Sequence, residues 1–311
     1  MSERNSTTAT TLQLCGIEWP VFQAGMAGLA GPELVAAVSN AGGLGHLGGL
    51  RVAPRVLGQW IAQTRALTDR PFGVNLVPKY GGPAVFEAQL DVVLRERPKV
   101  LSLFYGDFAD VIGRVRDAGI VIMVQVGSVA EAARARDQGA DILIAQGQDA
   151  GGHVRGRIGL MALLPAVVDV AGDVPVLAAG AIADARGVAA ARCLGAAGVW
   201  CGTVFLASEE SAAHDAYKRA LVAHGTDDTE FRTGYSYGWP LGTPHRVIPA
   251  PRKGLLRLMG GGLRAEDDAR MAEKISLYAG QGLGQISRIE PAARIVKKLA
   301  AGFAGAGKVS R

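Results

Sequence analysis

The chain has 311 residues, of which 49% are hydrophobic, and a net charge of +5. This length suffices for one large α/β domain or two smaller domains, each with a substantial core. Its three cysteines form no CxxC pair, which argues against a disulfide framework. No apolar stretch is long enough to span a bilayer, and the polar N-terminus lacks the apolar segment of a secretory signal. We therefore expect a cytoplasmic protein that does not bind membranes.

Short apolar runs alternate with helix-length, alanine-rich segments over roughly the first two thirds of the chain. In the first such segment, Leu34, Val38 and Ala41 recur at the spacing of one helix face. Eight strand-then-helix units with continuous apolar strands predict a closed parallel barrel, the (β/α)8 or TIM-barrel fold of the α/β class. An open Rossmann sheet, the alternative, usually carries GxGxxG after its first strand, and this spacing is absent here. The predicted strands are 19–23, 44–47, 72–76, 99–103, 120–125, 141–145, 175–179 and 198–202.

This alternation stops after residue 210. Segment 224–251 is rich in turn residues and aromatics and has no clear period, which is typical of a functional loop or a small subdomain. Two helices are predicted beyond it, at 265–276 and 290–301. The sequence therefore predicts a smaller, lid-like domain inserted after strand 8 of the barrel. The predicted division is 1–210 and 274–311 for the barrel and 211–273 for the smaller domain.

Two glycines follow the seventh and eighth predicted strands, where such barrels often bind phosphate. Gly180 permits close approach of the backbone to a ligand, and the next helix is predicted to begin near Asp184. Gly202 is followed by Thr203, which offers a hydroxyl and an amide. Backbone amides together with a hydroxyl form a cradle for an anion, so these turns predict a phosphate-bearing ligand.

Polar side chains end two other predicted strands. In "IAQGQDAGGHVRG", the sixth strand ends at Gln146, and Gly151 and Gly152 then permit backbone conformations closed to other residues. His153 follows at once, and Asn75 ends the third strand. Because the carboxyl ends of barrel strands meet at one face, these side chains are predicted to share a site there. The alternatives are a loop histidine satisfied by neighbouring backbone and a capping asparagine.

Several segments together resemble the nitronate monooxygenase family, formerly called 2-nitropropane dioxygenases. The resemblance covers nearly the whole chain, and the combination is specific although each piece alone is not. It implies a TIM barrel that binds FMN without a covalent link, with a smaller domain over the site. The segments are "FQAGMAG", "AAVSNAGGLG", "PFGVNLVP", "AQGQDAGGH", "PVLAAGAIAD", "CGTVFLASEES" and "LYAGQGLGQI".

The resemblance also implies a role for individual positions. His153 matches the active-site histidine of the family, and the loop after the first strand would approach the flavin ring. Other positions would hold the ring edge, the ribityl chain and the phosphate, and no metal is implied. The expected FMN-binding residues are Ala24, Gly25, Met26, Asn75, Gln146, Gly151, Gly180, Ala181, Trp200, Cys201, Gly202 and Thr203.

Two positions depart from the family pattern. Gly25 stands where proline usually precedes the methionine, which would loosen the first loop against the flavin. Trp200 stands where glutamine is usual, and its bulky indole would narrow or redirect the pocket. Candidate wall residues from the smaller domain are Tyr235, Tyr237, Trp239 and His245, with packing inside that domain as the alternative.

The implied function is oxidation of an alkyl nitronate, or of a nitroalkane, by FMN and dioxygen to a carbonyl compound and nitrite. His153 would act as the base for neutral nitroalkanes or, when cationic, would stabilise anionic species. Nucleic acid is not expected as a partner, because stacking aromatics are not interleaved with the basic residues. A homodimer is compatible with this interpretation.

Two alternatives remain open. A flavin-dependent enoyl-ACP reductase would use NAD(P)H, and its acidic carrier could dock on the C-terminal region, which has 13 Lys/Arg and 5 Asp/Glu from Arg246 onward. Against it, such reductases usually carry an acidic residue where this chain has Gln146. The second alternative is a flavin-binding protein without turnover.

Overall fold

A computed structural model describes residues 2–78, 82–106, 108–234, 236 and 239–304. Eight parallel strands form one sheet, and a parallel bridge between Phe22 and Leu44 brings its first two strands together. The predicted (β/α)8 barrel is therefore confirmed. A short strand in the loop after the sixth barrel strand, Gly152–His153, is numbered β7, so the last two barrel strands are β8 and β9. The barrel strands are β1 (Val21–Gln23), β2 (His46–Gly48), β3 (Gly73–Leu76), β4 (Val100–Leu103), β5 (Val121–Val126), β6 (Ile142–Gln146), β8 (Val176–Ala179) and β9 (Gly198–Cys201).

Local signals explain where several helices begin. Ser128 accepts a hydrogen bond from the Glu131 amide, and Asp184 accepts from two amides of the first turn that follows it, as N-capping residues do. Proline opens three helices, where its missing amide costs nothing. The helices are α1 (Ser2–Cys15), α2 (Pro32–Asn40), α3 (Pro54–Leu67), α4 (Pro83–Glu96), α5 (Ala109–Asp117), α6 (Val129–Asp137), α7 (Leu160–Ala171), α8 (Ala185–Cys193), α9 (Thr203–Leu206), α10 (Asp215–Ala223) and α11 (Ala292–Ala304).

The hydrophobic core has two main parts. The larger part lies between the strands and the surrounding helices, and α11 adds Ile295, Val296 and Leu299 to it. The second cluster includes Phe22 and Trp200 and draws on alternating residues of six barrel strands and on Leu44. Filling of this kind is typical of small parallel barrels, whose centres are packed rather than open. Any ligand site must therefore lie at an end of the barrel.

A second sheet of five short strands contains residues from distant parts of the chain. Its strands are β10 (Glu230–Arg232), β11 (His245–Ile248), β12 (Gly260–Gly261), β13 (Ser276–Tyr278) and β7 (Gly152–His153). Strand β7 pairs with β11, so that His153 lies opposite His245. The division at 211–273 remains a prediction, and this sheet takes β7 and β13 from outside that range.

Of the two helices predicted after the irregular segment, the second is confirmed as α11. The first is wrong: residues Ala269–Glu273 form a 3₁₀ turn, and β13 follows it. Asp268 caps this turn by accepting from the Arg270 amide, and β13 begins at Ser276, so little room is left between the cap and the strand for a longer helix. Context of this kind overrides helix propensity. Among the described residues, no helix is long and apolar enough to cross a membrane.

Candidate functional site

A cavity of about 830 Å³ lies where the carboxyl ends of the barrel strands meet the second sheet. This volume is within the range of ligand and cofactor pockets, roughly 300–1,000 Å³. The cavity brings together every residue that the sequence assigned to catalysis or to FMN binding. Its lining includes His153 and Ala24, Gly25, Met26, Asn75, Gln146, Gly151, Gly180, Ala181, Trp200, Cys201, Gly202 and Thr203.

Three buried carboxamides lie at or next to the carboxyl ends of β3, β5 and β6 at this cavity: Asn75, Gln125 and Gln146. The Asn75 amide nitrogen donates to Ser102 Oγ at 3.0 Å. The Gln146 amide holds the next loop, because its Nε2 donates to the His153 carbonyl at 3.0 Å and its Oε1 accepts from the Arg155 amide at 2.9 Å. Gln146 therefore orients the loop that carries His153, and its contact with a flavin remains a prediction.

Gln125 was missed by the sequence analysis. It is the one strongly polar residue in the apolar run "IVIMVQ", and it lies next to the end of β5. That position is a signal that could have identified it, because polar side chains at the carboxyl ends of barrel strands face the active site.

The first loop approaches Asn75 too closely for any side chain at position 25. A Cβ built on Gly25 would lie 2.3 Å from the Asn75 Cβ and 2.9 Å from its Cγ. Glycine at this position therefore lets the loop close against β3. The departure from the family pattern thus fits the loop tightly against Asn75 in this chain.

We expect Gly25→Ala to displace Asn75 and reduce the flavin bound per protein at least several-fold, because the new Cβ overlaps a buried carboxamide that lines the cavity. Absorbance of the purified protein, with and without added flavin, measures the occupancy. Gly113→Ala is the matched control, since a Cβ there meets nothing within 4 Å. Equal flavin content in the two variants would contradict the close approach.

The turns after β6, β8 and β9 approach one another closely, with glycine at the points of contact. A Cβ on Gly151 would lie 2.4 Å from the Gly280 amide nitrogen and 2.9 Å from Thr203 Oγ1, which accepts from that amide at 3.1 Å. Gly180 has a φ of 132°, and Ala181 takes a φ of 52°, which is uncommon for a residue with a side chain. Glycine at position 151 therefore lets these turns pack directly against one another at the wall of the cavity.

Trp200 closes the floor of the cavity. Its indole is 6% exposed and packs in the cluster inside the barrel. The ring of His46 lies edge-on to it, with centroids 4.5 Å apart. Gly73 makes room for that imidazole, because a Cβ there would lie 2.4 Å from the ring. The indole therefore occupies space within the barrel core, where His46 and Gly73 accommodate it.

His153 is held by the second sheet. Its Nε2 lies 2.9 Å from Ser236 Oγ, and its ring stacks on Trp239 with centroids 3.7 Å apart and planes 18° apart. Burial, followed by the neighbouring His245 and the charge of Arg51, lowers the pKa of His153 to about 2. The imidazole is therefore neutral at physiological pH.

Among the predicted wall residues, Trp239 contacts His153, and His245 lies 5.7 Å from it between ring centroids. Tyr235 and Tyr237 lie outside the described residues. Ser236 and Tyr278 complete the surroundings of His153 and were missed, although Tyr278 lies within the quoted segment "LYAGQGLGQI". Burial raises the pKa of Tyr278 to about 12, so its hydroxyl stays protonated.

A glycine-lined cavity at the catalytic face of a barrel, with a neutral histidine beside it, is typical of a cofactor-dependent barrel enzyme. The model of the nitronate monooxygenase family matches residues 8–84 and 77–302. The chain therefore belongs to this family and is a flavin-dependent oxidoreductase. Because members of the family are enzymes, the alternative of a flavin-binding protein without turnover is not retained.

Similar proteins include two kinds of activity. A 5-hydroxy-7a-methyl-1-oxo-octahydro-1H-indene-4-carboxyl-CoA dehydrogenase of Rhodococcus jostii is 37% identical over 276 residues, which cover 88% of this chain and 75% of that protein. A nitronate monooxygenase of Paraburkholderia phytofirmans is 37% identical over 270 residues, covering 72% of this chain and 73% of the relative.

Two solved structures superpose on this chain over almost its whole length. A FabK variant from Thermotoga maritima superposes with a TM-score of 0.83 and 33% identity, covering 94% of this chain and 95% of the other. A nitroalkane oxidase from Streptomyces ansochromogenes gives a TM-score of 0.81 and 31% identity, with 95% and 98% covered. Both match nearly the full length, so the fold alone does not separate the two activities.

Proposed function

We propose that the protein oxidises alkyl nitronates with FMN and dioxygen. The observation that carries this proposal is that a neutral, half-buried His153 and the charge of Arg51 line the same cavity. A neutral nitroalkane needs a base to remove its proton, and an imidazole with so low a pKa is a weak base. A nitronate arrives already ionised, and a guanidinium attracts it.

FMN would lie in the cavity against the turns after β6, β8 and β9 and the carboxamides beside them, all of which line it. Thr203 and the amides around Gly180 would hold its phosphate, and Asn75 lies where a polar group could reach the ring. When bound, FMN supplies the redox chemistry, accepting electrons from the nitronate for delivery to dioxygen. The chain contributes orientation of the substrate and control of protons.

When an anionic substrate binds, His153 would take up a second proton on Nδ1, its ring nitrogen without a hydrogen-bond partner among the described residues. An anion bound beside the imidazole favours its charged form and so opposes the effect of burial. The histidine can then donate a hydrogen bond to the nitronate and stabilise negative charge during the reaction. The carbonyl compound and nitrite leave once the oxidation is complete.

We expect propionate 3-nitronate to be oxidised in air at least tenfold faster, in kcat/KM, than its neutral nitro form, since only the neutral form requires the weak base. Oxygen uptake and nitrite release measure the two rates at a pH where each form persists during the assay. Equal rates for the two forms would contradict the preference for the anion. Absence of turnover with either form would contradict the proposed function.

Thioester oxidoreduction is the second candidate. It is favoured by an apolar wall of the cavity formed by Leu50, Val52, Val56 and Trp60, which a small nitronate does not need. The names of the CoA dehydrogenase relative and the FabK neighbour point the same way. Rapid oxidation of NAD(P)H by an enoyl thioester, without nitronate turnover, would establish this candidate instead.

A further inference from the structure

A chain of hydrogen bonds leads from His153 into the second sheet. His153 Nε2 lies 2.9 Å from Ser236 Oγ, and Ser236 Oγ lies 2.7 Å from Tyr278 Oη. Tyr278 Oη donates to the Gly260 carbonyl at 3.0 Å. A backbone bridge between Ser236 and Gly260 holds the second and the last member of this chain side by side. Ser236 is fully buried, so water does not compete for its hydroxyl.

The last acceptor, the Gly260 carbonyl, determines which atom donates in each of these three hydrogen bonds. A carbonyl oxygen only accepts, so the single proton of Tyr278 serves Gly260. The tyrosine oxygen must then accept the proton of Ser236, and the serine oxygen must accept from His153. The reverse direction would leave the Gly260 carbonyl without this donor, whereas the forward direction satisfies all three contacts. The imidazole therefore carries its proton on Nε2.

Nδ1, the other ring nitrogen of His153, is available to contact a ligand. Within the described residues, Nδ1 of His153 makes no hydrogen bond, and it is not among the buried side-chain atoms that lack a partner. It therefore keeps accessible surface, and His153 lines the cavity.

We propose that Ser236 and Tyr278 are positioning residues that fix His153 as the Nε2–H tautomer and direct Nδ1 to the substrate. The proposal deepens the proposed function, on which it depends only for the identity of the substrate. Packing fixes the ring and the chain of hydrogen bonds fixes the tautomer, so neither residue needs to touch the substrate itself.

Several contacts keep this arrangement rigid. The His153 ring is stacked on Trp239, and the edge of Tyr278 lies against it with centroids 5.2 Å apart. The Tyr217 hydroxyl donates to the Tyr278 carbonyl. Gly260 admits the tyrosine ring, because a Cβ there would lie 2.8 Å from Tyr278 Cε1. Supporting hydrogen bonds of this kind determine which imidazole nitrogen is protonated in other histidine sites.

Nitrogen-15 NMR of the histidine-labelled flavoprotein tests the proposal directly. The five histidines give few signals, and His153→Gln identifies those of His153. We expect a protonated Nε2 and an unprotonated Nδ1 at pH 7. In Tyr278→Phe the Ser236 hydroxyl loses its acceptor and can donate to Nε2 instead. The imidazole proton should then lie on Nδ1, so Nδ1 should give the signal of a protonated nitrogen.

Turnover gives the second measurement. With the nitronate, Tyr278→Phe and Ser236→Ala should lower kcat about tenfold to a hundredfold, the range found when partners that orient a histidine are removed. KM should change less than kcat. Ser236→Thr restores the hydroxyl and should recover most of the loss. Ser208→Ala is the matched control, since it removes a buried hydroxyl that bonds the Phe205 carbonyl outside the cavity lining.

A wild-type His153 protonated on Nδ1 would overturn the proposal. It would equally be overturned if Tyr278→Phe and Ser236→Ala left both the tautomer and kcat unchanged. The NMR result does not depend on the substrate. If the tautomer responds as expected but nitronates are not turned over, the proposed function fails and the positioning role stands.

Discussion

His153→Ala is expected to keep its flavin while turnover falls by a factor of about 10² to 10⁴, the usual contribution of a positioned acid or base. The histidine holds its loop through its backbone, because its carbonyl accepts from Gln146 and β7 pairs with β11. Removing the imidazole therefore leaves the loop in place. The ratio of flavin to protein and the steady-state rate of oxygen uptake measure the two effects separately.

His224→Ala provides the control for this variant. His224 is partly buried outside the cavity lining, and its Nδ1 lies 2.8 Å from the Ala220 carbonyl. We expect this variant to retain both flavin and turnover. Loss of flavin from His153→Ala would show that the imidazole supports the loop itself, and unchanged turnover would remove His153 from the reaction.

The strand ends of the barrel were predictable because one rule locates them. Apolar runs predict the strands, and the carboxyl ends of parallel barrel strands share a face, so Asn75, Gln146, Gly180 and Gly202 converge without knowledge of any loop. The cavity lining agrees with this prediction. The close fit of Gly25 against Asn75 was not predictable, because it depends on the path of two loops.

The surroundings of His153 were predictable only in part. Ser236 and Tyr278 lie 83 and 125 positions further along the chain, and irregular pairing of short strands brings them together. No hydrophobic period marks these strands, since two or three residues are too few to show one. The wrong helix at 265–276 has a related cause, because the Asp268 cap and the start of β13 at Ser276 leave room only for the 3₁₀ turn Ala269–Glu273.

His46 shows a further limit of sequence analysis. In "LGHL" it occupies a strand position, and nothing nearby indicates whether the imidazole is paired. In the structure it is fully buried, and neither ring nitrogen has a hydrogen-bond partner. The contact with Trp200 is an aromatic one, with ring centroids 4.5 Å apart. Burial lowers the pKa of His46 to about 3.

This buried histidine is expected to make the free energy of unfolding depend on pH. Below the ordinary pKa of 6.5 the unfolded chain binds a proton at His46, whereas the folded chain stays neutral down to about pH 3. Stability is therefore full above pH 6.5 and is lost as the pH falls towards 3, by about 1.4 kcal/mol per pH unit. His153, with a pKa of about 2, adds a loss of the same sign.

His46→Phe separates the two histidines. Urea unfolding at pH 7 measures the cost of repacking against Phe22 and Trp200, and unfolding at pH 4.5 adds the effect of protonation. From pH 7 to 4.5 we expect the wild type to lose roughly 2–3 kcal/mol more than the variant. Equal losses would mean that water or a polar partner reaches His46 in solution. A smaller loss of unfolding free energy in the variant would show that the neutral imidazole of His46, packed against Trp200, limits the stability of the protein at acid pH.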